Sequence, residues 1–281
     1  MASSVPRRRA HSPKTASLSA TPSTSAAPRA KAAANKRESQ SAANNRNKSG
    51  EKSVAKSLEK SAEKRAKKKE TVAQKRERLG AMISALRAIY PEPRIALNYA
   101  SPFELLIATM LSAQCTDERV NQVTARLFVK YRAPQDYLAV EQEELERDIF
   151  STGFYKAKAK NIRACCAKLL ADFGGEVPRT IEELISLAGV GRKTANVVLS
   201  HCFDVPGVVV DTHVTRLVNR MGICEGADAV HLEFELMKYM PSEIWRDFTH
   251  LFIMHGRAVC SARTKPRCAE CVVAEYCPKI L

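Results

Sequence analysis

From about residue 80 onward, apolar residues recur at intervals of three and four, the period of a helix with one buried face. Tyr155, Ile162, Cys166, Leu169 and Phe173 make one such stripe, with Ala159 filling its gap. Ala195, Val198, Leu199 and Cys202 make a second, and Ile244, Phe248, Leu251, His255 and Val259 a third. Helix starts are written into the same region. Ser101-Pro102-Phe103-Glu104 combines a side-chain cap, a first-turn proline and a glutamate placed to close a capping box. Thr180-Ile181-Glu182-Glu183 repeats the capping-box pattern. No series of alternating segments is present, and the β-branched run Val208 to Val210 stands alone as a short extended piece. An all-α domain of about ten helices joined by short loops is predicted. The longest apolar runs, such as Leu105 to Leu111, fall well short of the ~18 residues of a membrane span, so no membrane partner is expected.

Charge divides the chain in two. Residues 1–79 hold 21 Lys+Arg against 6 Asp+Glu, which accounts for the whole net charge of +15; the remaining residues hold 24 of each. The first segment also contains no Phe, Trp, Tyr or Cys. Such a segment cannot bury enough apolar surface to offset its ordering entropy, so residues 1–77 are expected to be a disordered basic tail. Its first 37 residues are rich in Ser, Ala, Pro and Thr, carry Arg7, Arg8 and Arg9 and contain no acid. That fits a transit peptide as well as a plain basic tail. Lys52, Lys56, Lys60, Lys64 and Lys68 recur every fourth residue and would form one helical stripe. Contact with phosphate would relieve their repulsion; the alternative is a solvated, solubilising arm. A cytoplasmic protein is expected, or an organellar one if the tail is a transit peptide.

Two motifs carry chemistry. Leu187-Ala188-Gly189-Val190-Gly191 lies between two helical patterns, and Arg192-Lys193-Thr194 opens the second. Two glycines permit a tight turn and close backbone approach, and free amides at a helix N-terminus attract an anion. This is a helix-hairpin-helix pattern, which holds a DNA backbone without reading bases. Gly189, Gly191 and Arg192 are the candidate phosphate contacts, with a plain interhelical turn as the alternative. Lys193 sits in the first turn, where the positive helix end disfavours its charge and favours a neutral, nucleophilic amine. An ordinary phosphate-binding lysine is the other reading.

The second motif is C-x7-C-x2-C-x5-C at Cys260, Cys268, Cys271 and Cys277. Nine cysteines and no secretory signal argue against a disulfide framework. One close pair flanked by single cysteines, with Pro278 after the last, suits a [4Fe–4S] cluster; zinc is the second reading and unligated cysteines the third. Between the first two cysteines, Arg263, Lys265 and Arg267 make a basic loop suited to phosphate or simply to solvent.

Together these motifs resemble the endonuclease III family of helix-hairpin-helix base-excision DNA glycosylases. The resemblance runs from about residue 78 to 279. It rests on Ser101 to Leu106, Leu111-Ser112-Ala113-Gln114 with Asp117, Gly189 to Leu199, Val210-Asp211-Thr212-His213, His255-Gly256-Arg257 and the four cysteines. It implies a two-lobed fold with a DNA groove between the lobes: a helical lobe over 95–205, and a cluster lobe combining 78–94 with 206–281. It implies a monomeric glycosylase and abasic-site lyase that acts on oxidised pyrimidines in double-stranded DNA. Lys193 would be the Schiff-base nucleophile and Asp211 the carboxylate that assists attack, though Asp211 also precedes a helix and could cap it. Gln114 would fill the gap left by a flipped nucleotide, and Phe154 would wedge into the stack, a core aromatic being its alternative. The sequence departs from the family in three places. Phe154 stands where Leu is usual, Ala188 where Pro is usual, and seven residues rather than six separate the first two cysteines. The adenine-mismatch branch of the same superfamily usually lacks a lysine at position 193; a non-catalytic DNA-binding or redox protein would not need Lys193 and Asp211 together.

Overall fold

A computed structural model describes residues 70–280. The expectation of a disordered basic arm therefore lies outside the described residues up to position 69. Its last stretch is corrected: the first helix, α1 (Val72–Ile89), begins inside the segment assigned to the tail. Thr71 Oγ1 accepts from the Gln74 amide and Gln74 Oε1 accepts from the Thr71 amide, a capping box hidden among the basic residues. Arg78 anchors the same turn, pairing with Glu70 at 2.7 Å and donating to the carbonyls of Met221, Gly222 and Tyr276.

Ten further α-helices follow among the described residues. They are α2 (Pro102–Leu111), α3 (Asp117–Lys130), α4 (Pro134–Ala139), α5 (Gln142–Ile149), α6 (Tyr155–Phe173), α7 (Ile181–Ile185), α8 (Arg192–Cys202), α9 (Thr212–Arg220), α10 (Ala229–Met237) and α11 (Trp245–Ala258). No strand occurs among these residues, and no helix of the described residues is long and apolar enough to cross a membrane. The starts behave as their sequence requires. Ser101 Oγ accepts from the Glu104 amide while Glu104 Oε2 accepts from the Ala100 amide, and Thr180 Oγ1 accepts from the Glu183 amide.

The helices enclose two hydrophobic cores. One gathers α2 to α8, including the stripe Ala159, Ile162, Cys166 and Leu169 of α6 and Ala195, Val198 and Leu199 of α8. The other packs Leu79, Met82, Ile83 and Leu86 of α1 against α9 to α11. The β-branched run joins them without forming a strand. Val209 is buried in the first core, Val208 and Val210 in the second. Period-two alternation thus passes an extended segment between two lobes, burying both of its faces. The segment is pinned where Thr249 Oγ1 accepts from the Val209 amide at 3.1 Å. It delivers the next residue, Asp211, to the boundary of the lobes.

Candidate active site between the lobes

At that boundary lies a cleft of about 340 Å³. Lys193 enters it from α8 of the first lobe and Asp211 from the start of α9 in the second. Lys193 follows the hairpin turn by two residues. Leu187 and Val190 anchor that turn in the core, and the Val190 amide donates to Leu187 O at 3.1 Å. Gly189 takes φ +75°, and a Cβ there would stand 2.9 Å from Asn161 Cβ and 3.0 Å from Met110 Cε. Gly191 differs: it precedes α8 with an ordinary φ of −95°, and a Cβ would meet nothing within 4 Å. The protein interior demands glycine at the first position; at the second, the bare backbone faces outward, leaving the amides of the α8 N-terminus open to an anion.

Asp211 is the N-cap of α9, its Oδ1 accepting from the Val214 amide at 2.8 Å. Its other oxygen has no hydrogen-bond partner among the described residues. Lys193 is exposed and makes no ion pair among them. His213, two residues beyond Asp211, has its pKa held below the usual range, first by burial; the cations Arg216, Arg257 and Lys193 push it the same way and Asp211 opposes them.

Other candidates fall in three places. Gln114, Phe154 and Gly189 line a second, smaller cavity together. Phe154 is 65% exposed and so is not a core aromatic; it and Gln114 both hold positive φ, at +49° and +54°. Left-handed backbone in non-glycine residues is strain that the surrounding fold must hold. Arg263, Lys265 and Arg267 all lie exposed on the loop; Arg263 lines a separate cavity with Thr116 and His213, and Arg267 pairs with Glu270 at 2.9 Å. Arg192 is half-buried and held by the protein itself: its guanidinium meets both carboxylate oxygens of Glu233 at 2.9–3.1 Å and lies over the Phe234 ring at 4.8 Å. Glu233 is buried on α10, so this pair ties the hairpin to the second lobe.

The cluster expectation is corrected. Cys260, Cys268, Cys271 and Cys277 line one apolar cavity, but no group of three or more Cys, His, Asp or Glu among the described residues could hold a metal ion. Instead, separate partners hold several of the sulfurs. Cys271 Sγ is 3.3 Å from His255 Nε2, Cys260 Sγ accepts from Arg220 at 3.5 Å, and Cys277 Sγ lies 3.4 Å from the Lys279 amide. The donor set therefore does not fit the [4Fe–4S] or zinc readings, and the C-terminal segment is a cysteine-bearing loop rather than a cluster loop.

The cleft also holds two histidines that were not singled out in the sequence. His201 of α8 and His250 of α11 meet across the lobes, Nε2 to Nε2 at 2.8 Å. His201 Nδ1 lies 2.8 Å from Val197 O, which fixes Nδ1 as the protonated nitrogen and leaves His250 to donate. Asp117 and Arg257 form a second bridge between lobes at 2.6 Å. Lys193, Val197 and His201 follow at intervals of four, so the helical period alone places His201 on the face of Lys193.

Residues 107–242 match the family described as HhH-GPD superfamily base excision DNA repair protein. Endonuclease III of Synechocystis sp. is 48% identical over 208 residues, covering 74% of this chain and 94% of its own. That of Bacillus subtilis is 50% identical over 190 residues, covering 67% and 86%. Among solved structures, a non-covalent endonuclease III–DNA complex superposes with a TM-score of 0.70 at 46% identity, covering 73% of this chain and 95% of that one. A trapped endonuclease III–DNA covalent intermediate gives the same TM-score and identity, covering 73% and 96%. With its all-α, two-lobed architecture, the chain belongs to the endonuclease III family within the HhH-GPD superfamily of base-excision DNA repair proteins.

Proposed function

We propose that this protein is a bifunctional DNA glycosylase and abasic-site lyase acting on double-stranded DNA that carries oxidised pyrimidines. The observation that carries the reading is that Lys193 and Asp211, from different lobes, line one cleft. The damaged nucleotide leaves the stack to expose its C1′, with Gln114 and Phe154 occupying the gap. The neutral amine of Lys193 attacks C1′, and the bond to the base breaks with its electron pair leaving on the base. The amine loses a proton as the base gains one. Asp211 favours this step by placing negative charge beside a sugar that becomes positive. The C1′–O4′ bond then opens, O4′ takes a proton, and an iminium joins C1′ to Nζ. That iminium acidifies the C2′ proton; its loss expels the 3′ phosphate oxygen and cuts the strand 3′ to the site. Water hydrolyses the imine and restores the lysine. The hairpin amides near Gly189 and Gly191 hold the backbone phosphates through this sequence.

Borohydride reduction on a thymine-glycol duplex tests the reading, because it turns the imine into a stable adduct. The expected result is a covalent protein–DNA band that Lys193→Ala abolishes. No band with the intact protein, or a band that survives Lys193→Ala, refutes it.

A further inference from the structure

Lys158 is a lysine in an unusual place. It lies in the first turn of α6 with 7% of its surface exposed, and no carboxylate among the described residues pairs with it. Burying a cation without a counter-charge is costly unless its donors are satisfied. Here two main-chain carbonyls satisfy them: Nζ donates to Leu111 O at 2.7 Å and to Thr152 O at 2.8 Å. Both acceptors are helix ends. Leu111 closes α2, and Thr152 closes the 3-10 turn Phe150–Thr152. The last carbonyls of a helix lack intrahelical donors and carry the negative end of the dipole. Two such ends converging on one amine explain how it is tolerated there. Burial pushes its pKa down, but the neutral amine still has two N–H groups for the two carbonyls.

The residues just beyond each carbonyl are the two candidate duplex probes. Three positions past Leu111 comes Gln114, and two past Thr152 comes Phe154, each with left-handed backbone. Both line one cavity of about 160 Å³ with Lys158 itself. Nζ bridges the two segments at this point, although they are 40 residues apart in the chain and belong to different helix connections. We propose that Lys158 is a positioning residue that sets the spacing of Gln114 and Phe154, so that the two enter the duplex together. The inference rests on the duplex-probing role proposed for those residues.

The test separates opening of a base pair from chemistry on an open site. Borohydride-trapping rates are measured for the full chain on a duplex with a paired thymine glycol and on a single-stranded abasic oligonucleotide. The second needs no unstacking. Lys158→Met, similar in length and without donors, should lose about 10-fold or more on the duplex relative to the single strand. Adding Lys158→Met to Gln114→Ala/Phe154→Ala should lose little further, because the residues it positions are already gone. Equal losses on both substrates, no loss on either, or full additivity with the double variant overturns the inference. If Gln114→Ala/Phe154→Ala shows no duplex-selective loss, the probing role fails and the inference with it; if it does and Lys158→Met does not, only Lys158 is misassigned. Should Lys158→Met fail to fold by circular dichroism, Lys158→Gln is read by the same criteria, since its amide keeps two N–H donors but is too short to reach both carbonyls. Duplex-selective loss supports the inference, and any other pattern overturns it.

Discussion

Asp211 carries two roles that can be pulled apart. Its Oδ1 caps α9 by accepting from the Val214 amide at 2.8 Å, and its charge is assigned to the sugar. Asparagine keeps the capping oxygen and ranks beside aspartate as an N-cap, so Asp211→Asn should lose only the charge–dipole contribution, about 0.5 kcal/mol. Alanine loses that and the cap, together about 1.5 kcal/mol. For a folded part of this size, about 1 kcal/mol corresponds to a Tm change of roughly 2–4 °C. Asp211→Asn should therefore melt about 1–2 °C low and Asp211→Ala about 3–6 °C low. Activity should not follow that order. Both variants lack the carboxylate, so single-turnover base release should fall about 100- to 1,000-fold in each. Binding of the damaged duplex, read by gel shift, should stay within a few-fold for Asp211→Asn. If Asp211→Asn keeps most of its turnover while Asp211→Ala loses it, activity is tracking the cap and the catalytic assignment is wrong.

The hairpin glycines should part in the same manner. Gly189→Ala forces a side chain into φ +75° and against Asn161 and Met110, and should cost about 2 kcal/mol in urea unfolding. Gly191→Ala should cost under about 1 kcal/mol while weakening binding of undamaged duplex; equal destabilisation by the two would refute the distinction. Arg192→Ala strands the buried Glu233 carboxylate and should cost about 3 kcal/mol, well above a surface pair. The salt slope of DNA binding should stay unchanged, and a slope shallower by about one would show that Arg192 meets a phosphate. His201 and His250 are both pH-sensitive groups of the cleft, each with its pKa lowered first by burial. Burial lowers the His250 pKa to about 4, helped by His201 and Arg246 and opposed by Asp247 and Asp211. Its folded pKa lies below its unfolded value, so the unfolded chain takes the proton first. Stability is full above pH ~6.5 and is lost as pH falls toward 4, by about 2 kcal/mol at pH 5. His250→Gln should flatten the curve by that amount between pH 7.5 and 5, and parallel curves for the two proteins would refute the assignment.

Features legible in the sequence were local or periodic. The spacing of Tyr155 to Phe173 specifies both the helix and the face that it buries, since period and burial are one signal. Ser101-Pro102-Phe103-Glu104 works as a cap because its partners are three or four residues away. The start of α1 was missed for a compositional reason: Thr71 and Gln74 lie among Lys and Arg whose charge pattern reads as a solvated tail. The commitment of Arg192 to Glu233 was missed for a topological one, because the partners are 41 residues apart on different lobes. Spacing misled outright at the four cysteines. Chain separation limits how close sulfurs can come, but the partners that claim two of them, His255 for Cys271 and Arg220 for Cys260, are set by tertiary packing.

The same distinction bears on the nucleophile. Arg94, Lys193 and Arg257 line the cleft beside Glu92, Asp117 and Asp211, so no excess of basic charge marks it. Its other strong cations are paired: Arg94 with Glu92 at 2.7 Å and Arg257 with Asp117 at 2.6 Å. Lys193 is, among the described residues lining it, the one Lys or Arg side chain without an acid partner. An ion pair would tether Nζ to a carboxylate and away from the sugar, and Lys193 carries no such tether among the described residues. Pairing every other Lys and Arg in the cleft while leaving this one alone keeps the nucleophile free to reach the sugar.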